Sequence, residues 1–459
     1  MLFSSISFIY YFLPIFLILY YLTPKKYKNI TLLIFSLVFY FLGEPKHIII
    51  LILSCLINYI LSKKIETSHH PKPYLIAALI YNIGQLLIFK YLDFFIRNIN
   101  IIFKASIPLT HIVMPIGISF FTFQALGYII DVYNKKHKSA SNILEFMTYI
   151  SLFPQLIAGP IVRYSDIKNE LKEKETSFEK FGNGVRRFTI GLSKKILIAD
   201  VLGAFTKSLT ETTLLSSWLK PIGYTLQIYF DFSGYSDMAI GLGLMIGFTF
   251  LENFNYPLIA SSITDFWRRW HISLSRWFRD YVYIPLGGNR VSTLKWLRNI
   301  LIVWLLTGFW HGASWNFVIW GLYFGVLLII EKKFLKKYLD KTKIIKYIYT
   351  TFIVVISFLI FNASSLPEIT TSLKNMFLIN KIPLVGTETL YYLKNYLVLI
   401  IISIIGATPL PKIIIEKIHH TKLKRFIDIL EPIFYILILT LSTAFIIDAS
   451  FSPFLYFRF

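Results

Sequence analysis

Apolar runs long enough to cross a bilayer alternate with short Lys-rich tracts along the whole chain. A spanning helix needs about 20 mostly apolar residues. Candidates lie near 6–23, 28–43, 46–62, 73–92, 112–133, 184–206, 221–248, 345–362, 392–409 and 431–449. The basic tracts Lys25–Lys28, Lys63–Lys64, Lys135–Lys138, Lys332–Lys337 and Lys412–Arg425 fall between them. Loops rich in Lys and Arg hold the cytoplasmic side of a membrane protein. Alternating the runs against these tracts gives a consistent topology with both termini outside. The first run lacks a basic segment before it and a small-residue cleavage site after it, so it reads as a permanent span rather than a signal peptide. The pattern therefore predicts an all-α polytopic membrane protein of about eleven transmembrane helices, supplemented by re-entrant and interfacial helices.

Three stretches resist simple spanning. Residues 146–162 are apolar but carry Pro154, Gly159 and Pro160, and helix breakers at membrane depth are tolerated where backbone lines a protein cavity. This stretch reads as re-entrant. Residues 264–290 mix Trp, Tyr and Arg on a helical period, which predicts an amphipathic helix at the interface. The run 299–331 carries no Lys or Arg and is bounded by Arg298 and Lys332. If both ends are cytoplasmic, two helices of about 15 residues go in and return, each reaching only about 22 Å into a core of roughly 30 Å. Their turn holds Trp310, His311 and Gly312. A single crossing would leave the same residues near mid-depth.

Composition agrees with a membrane chain. Only 16% of residues are charged, against about 25% in soluble proteins, and mean hydropathy is +0.61. One membrane domain, 1–459, is expected: N-terminal helices to 133, re-entrant and polar motifs from 134 to 331, and C-terminal helices from 332. The net charge of +22 belongs to the loop tracts and comes with no nucleic-acid-binding motif. The single cysteine, Cys55, excludes an internal disulfide and a Cys-based metal site. His69–His70 and His419–His420 read as loop residues, and no spacing with carboxylates points to a metal.

Ionisable groups within the membrane are costly and face a cavity or a partner. His311 is the foremost candidate, because a buried neutral imidazole can act as a general base; the alternative is a histidine packed among Trp304, Trp310, Trp315 and Trp320. His271 lies in the interfacial stretch among Arg268, Arg269, Arg276, Arg279 and Asp280. Such a cluster suits the phosphates of a nucleotide-like donor or anionic lipid heads. The segment YFDFSGYSD (229–237) places Asp231, Ser233, Tyr235 and Asp237 in one apolar run. Two carboxylates there require partners, either a basic residue or the histidine.

The segments MPIGISFFTFQALGYIID (114–131), FPQLIAGPIVR (153–163), YFDFSGYSDMAIGLGLMIGF (229–248), NFNYPLIASSITDFWRRWHISLSRWFRDYVYIPLGGNR (253–290) and GFWHGASWNFVIWG (308–321) resemble the membrane-bound O-acyltransferase (MBOAT) family. The resemblance is to its bacterial branch that O-acetylates alginate, with peptidoglycan O-acetyltransferases and the D-alanyl transfer protein of teichoic acids nearby. It runs over essentially the whole chain. The resemblance implies helices ringed around a central funnel, with His311 as the catalytic residue and His271 as the second characteristic position. Asp231, Ser233, Tyr235, Asp237, Arg268, Arg269, Trp310, Trp315 and Asn316 are the expected donor- or funnel-lining residues. It also implies no bound cofactor, a thioester donor (acetyl-CoA or an acyl carrier protein), and an extracytoplasmic esterase-like partner of SGNH type. The polymer that the resemblance implies is an alginate-like exopolysaccharide, cellulose or peptidoglycan. The end of the chain, PFLYFRF (453–459), resembles a C-terminal motif whose tyrosine, here Tyr456, accepts the acyl group; an interfacial aromatic belt is the other reading. Two rivals stand beside this. One is a transporter or polysaccharide export channel with a buried proton relay, but the sequence lacks the paired interrupted helices that transporters often show. The other is an acyltransferase of the same fold directed at lipid or protein.

Overall fold

The computed structural model describes residues 1–157, 159–448 and 454–455, and among them every regular element is helical. Five helices are long and apolar enough to cross a membrane: Ile48–Thr67, Lys72–Phe103, Ile345–Asn362, Thr387–Gly406 and Lys424–Asp448. Ser7–Leu22 and Ile118–Tyr133 are apolar but shorter. Backbone hydrogen bonds have no water to turn to inside a bilayer, so helices are the form that open chain can take there. Proximity along the fold groups the chain into two compact units, Met1–Phe188 with Tyr235–Leu251, and Thr189–Gly234 with Glu252–Phe459.

The first unit packs around a cluster of phenylalanines. Phe3, Phe8, Phe12, Phe16, Phe39 and Phe153 touch one another at centroid distances near 5–6 Å. Asn58 and Asn82 exchange side-chain amide hydrogen bonds at 3.2 and 2.7 Å, joining Ile48–Thr67 to the helix that follows it. The apolar run from 112 becomes helix only at Ile118, after Pro115 and the left-handed Gly117 (φ +75°). The run 146–162 is not one helix. Ile143–Ser151 ends at Leu152, Phe153–Leu156 follows, and residues 148–157 are all buried. The break frees carbonyls that side chains recover: Gln155 donates to Tyr149 O at 2.6 Å and the Tyr149 hydroxyl donates to Val162 O at 3.0 Å.

The second unit is built on a wall of Trp and Phe that includes Phe266, Trp267, Trp270, Trp320, Phe324, Phe358 and Phe361. Against it stands the helical hairpin expected between Arg298 and Lys332. Its arms are Thr293–His311 (19 residues) and Trp315–Ile330 (16 residues). They pack closely because two glycines face each other. A Cβ on Gly308 would lie 2.3 Å from Phe317 O, and one on Gly321 would lie 2.3 Å from Trp304 O.

The interfacial stretch corrects the expectation of one amphipathic helix. It forms two seven-residue helices, Ile263–Arg269 and Ile272–Phe278, broken at His271, which takes a left-handed conformation (φ +46°). Helix starts leave backbone N–H groups without partners, and here side chains satisfy them. The Asn253 carbonyl accepts from Ser273 N and Oγ at 3.2 and 2.9 Å. The buried Glu331 carboxylate accepts from Ile263 N (2.6 Å), Thr264 N (3.1 Å) and Thr264 Oγ (2.7 Å).

Candidate active site

His311 is the last residue of the outgoing hairpin arm and is 5% exposed. Its neighbour Gly312 is required by space, since a Cβ there would lie 2.2 Å from the Phe317 ring. Asn316 starts the returning arm and donates to Phe361 O at 3.0 Å, tying the turn to the end of Ile345–Asn362. The His311 ring is thereby enclosed edge-on by Trp310 (centroids 5.0 Å apart), Trp320 (4.9 Å) and Phe361 (5.3 Å).

His271 is fully buried and meets the same Trp310, at 5.9 Å between centroids, and the edge of Phe232 at 4.7 Å. Trp310 thus brings together two histidines that lie 40 residues apart in the sequence. The protonation of His271 follows from its partner. Its Nδ1 is 3.2 Å from Asn253 Oδ1, and that Asn atom must be the oxygen because it also accepts from the Ser273 N–H. Nδ1 therefore carries the hydrogen, and Nε2 keeps the lone pair. Burial lowers the pKa of this imidazole to about 3, so it is neutral at physiological pH and serves as a hydrogen-bonding group rather than a cation.

Each carboxylate of the 229–237 segment has a basic partner. Asp231, in the second unit, is 2.7 Å from the Lys195 ammonium, which also meets Asp200 at 2.6 Å. Asp237, in the first unit, receives Arg187 Nε at 2.7 Å and a terminal guanidinium nitrogen at 2.6 Å. Also in the first unit, Tyr235 stacks on Phe3 with centroids 4.9 Å apart. Ser233 is buried in the second unit. Arg268 is exposed, and Arg269 is engaged by Asp265 at 2.9 Å one turn back. Trp315 is 51% exposed. Tyr456 lies outside the described residues. Sequence reasoning missed Lys195, Asn253 and Glu331. Lys195 and Glu331 were each visible as a charge abutting an apolar run, and Asn253 as a polar residue eighteen before the histidine.

Comparison with known proteins bears on this arrangement. Residues 133–369 match the model of the MBOAT, membrane-bound O-acyltransferase family. A probable alginate O-acetylase of Pseudomonas putida is 38% identical over the full length of both chains. That of Azotobacter vinelandii is 42% identical over 80% of this chain and 76% of its own. The peptidoglycan O-acetyltransferase of Helicobacter pylori is 34% identical over all of this chain and 98% of its own.

The chain belongs to the membrane-bound O-acyltransferase family.

It is a multi-pass membrane protein of the all-helical MBOAT fold, and an O-acetyltransferase. As an MBOAT member, it encloses both histidines, the hairpin and the paired carboxylates within the matched segment. The tail beyond residue 369 is covered by the full-length relatives. Chemically, the second unit presents two buried imidazoles on one indole, walled by aromatic rings. That is a setting in which a proton can be moved with little competing water.

Proposed function

We propose that this O-acetyltransferase takes an acetyl group from a cytoplasmic thioester, acetyl-CoA or an acyl carrier protein. It delivers the group across the bacterial cytoplasmic membrane for O-acetylation of an extracellular polysaccharide. The relatives named for alginate and peptidoglycan favour an alginate-like exopolysaccharide or peptidoglycan as the polymer, with cellulose a third candidate. The observation that carries the reading is His311, buried at the turn of a hairpin and enclosed by aromatic rings. The arm runs 13 residues from Arg298 to His311, or about 20 Å at 1.5 Å per residue, so an entry at Arg298 on the cytoplasmic side would leave this turn within a core of roughly 30 Å.

In the proposed reaction a hydroxyl approaches from the outer side and the thioester from the basic stretch around Arg268 and Arg269. His311 takes the hydroxyl proton as the oxygen attacks the thioester carbonyl. The tetrahedral intermediate collapses, the C–S bond breaks, and the departing thiolate takes the proton back from the imidazolium. His271, neutral and fixed by Asn253, orients the reacting groups across Trp310. The attacking hydroxyl belongs to Tyr456 or to a serine of an extracytoplasmic SGNH-type partner, which passes the acetyl group to the polymer. Both termini lie outside in this topology.

The test is the acetyl content of the polymer in cells carrying His311→Ala. The account expects acetylation to vanish while the protein reaches the membrane at its usual level. Wild-type acetyl content in that strain removes His311 from the reaction.

A further inference from the structure

Lys195 is 1% exposed and its ammonium holds two carboxylates, Asp200 at 2.6 Å and Asp231 at 2.7 Å. One cation is shared between two anions at a largely buried place. Buried charges are tolerated only when geometry is good and their remaining hydrogen-bonding positions are met. Part of that need is met from the far end of the chain. The backbone N–H of Leu455 donates to Asp231 Oδ2 at 2.9 Å. The ring of Phe454, itself 1% exposed, covers the Lys195 ammonium at 4.8 Å from its centroid. A cation over an aromatic face and a carboxylate on a backbone amide are both favourable contacts. They bind the segment through one ring and one N–H, and Leu455 also packs against the aromatic core. All these groups belong to the second unit. The anchor is also close to the site: Asp231 adjoins Phe232, whose ring edge meets His271.

We propose that the buried Lys195–Asp231 pair is the dock for the C-terminal segment at Phe454 and Leu455, and that both are positioning residues for it. Its consequence for catalysis rests on the reading that Tyr456 accepts the acyl group; the docking itself does not. Leu455→Pro removes the N–H that Asp231 receives and leaves Lys195, Asp231 and every membrane helix unchanged. Asp231→Asn weakens the same contact from the other side and leaves Lys195 paired with Asp200.

Thiol labelling of the full-length protein in detergent tests this. Cys55 is buried, so Phe457→Cys supplies a reporter of whether the tail is docked. The expected result is slow maleimide labelling in the otherwise natural chain. Leu455→Pro and Asp231→Asn should each speed it by about tenfold or more, the loss of roughly one hydrogen bond to a charged group, and the Leu455→Pro protein should melt at its usual temperature. Acyl transfer should fall in parallel. Unchanged labelling in both variants would overturn the proposal. Tyr456→Phe separates the two readings: labelling should remain slow in it, and full transfer there would end the tyrosine relay while leaving the dock standing.

Discussion

The two buried histidines share one neighbour and differ in everything else that holds them. His311 is fixed by shape: a helix end, a glycine turn with no room for a side chain, and three aromatic edges. His271 is fixed by hydrogen bonding: a left-handed break between two short helices, with Asn253 setting its tautomer. A ring enclosed by aromatic edges at the end of a helix sits where a proton can be moved with little competing water. A ring whose Nδ1–H is committed to a carbonyl, in a place where burial disfavours charge, is suited to orientation. The proposed division of labour between base and orienting group draws on that contrast.

Substitution should separate the two roles. His311→Gln should lower acyl transfer by about 10²–10⁴-fold, the usual contribution of a general base, with little change in stability. His271→Gln should cost less, about 10- to 100-fold, because glutamine can still donate to Asn253 but cannot reproduce the ring against Trp310; each hydrogen-bonded or packing contact there is worth about 1–2 kcal/mol. Equal losses in the two variants would erase the distinction drawn above. The hairpin is open to a stability test. Gly308→Ala should destabilise the detergent-solubilised protein by about 1–3 kcal/mol, as overpacking does, because its new Cβ meets backbone rather than a movable side chain. Gly182→Ala, in a helix with nothing within 4 Å of the added carbon, should instead stabilise by about 0.5–1 kcal/mol. A matching melting temperature for the two would show that the hairpin is loosely packed.

A further effect is in pH. The folded pKa of His271 is depressed to about 3 from an ordinary 6.5. Its contribution to stability is therefore complete above pH 6.5 and is lost as pH falls from there toward 3. The unfolded chain takes up a proton that the folded one refuses, worth about 1.4 kcal/mol per pH unit. Thermal melts in detergent between pH 7.5 and 5 should show this slope, and His271→Gln should flatten it. A slope identical in the variant would assign it to other groups.

Much of this was legible in the sequence for simple physical reasons. Apolar runs of spanning length mark helices directly, so Ile345–Asn362 and Lys28–Gly43 fall where hydrophobicity alone places them. The hairpin turn at His311 followed from an apolar run bounded by basic residues. The break at His271 did not, because the Trp and Arg pattern of 264–290 keeps helical periodicity through it. What ends the helix is a carbonyl eighteen residues earlier, and no local propensity reports such a contact. The partners of Asp231 and Asp237 were likewise out of reach: charge demanded a cation, but only folding selects Lys195 and Arg187.

The central claim concerns the imidazole at position 311, and transfer by the purified protein in vesicles tests it most directly. Labelled thioester donor would be supplied on one face and release of free thiol followed in a single turnover. His311→Ala should cut the rate by about 10²–10⁴-fold with an unchanged melting temperature. Thiol release at the wild-type rate from that variant would contradict the account.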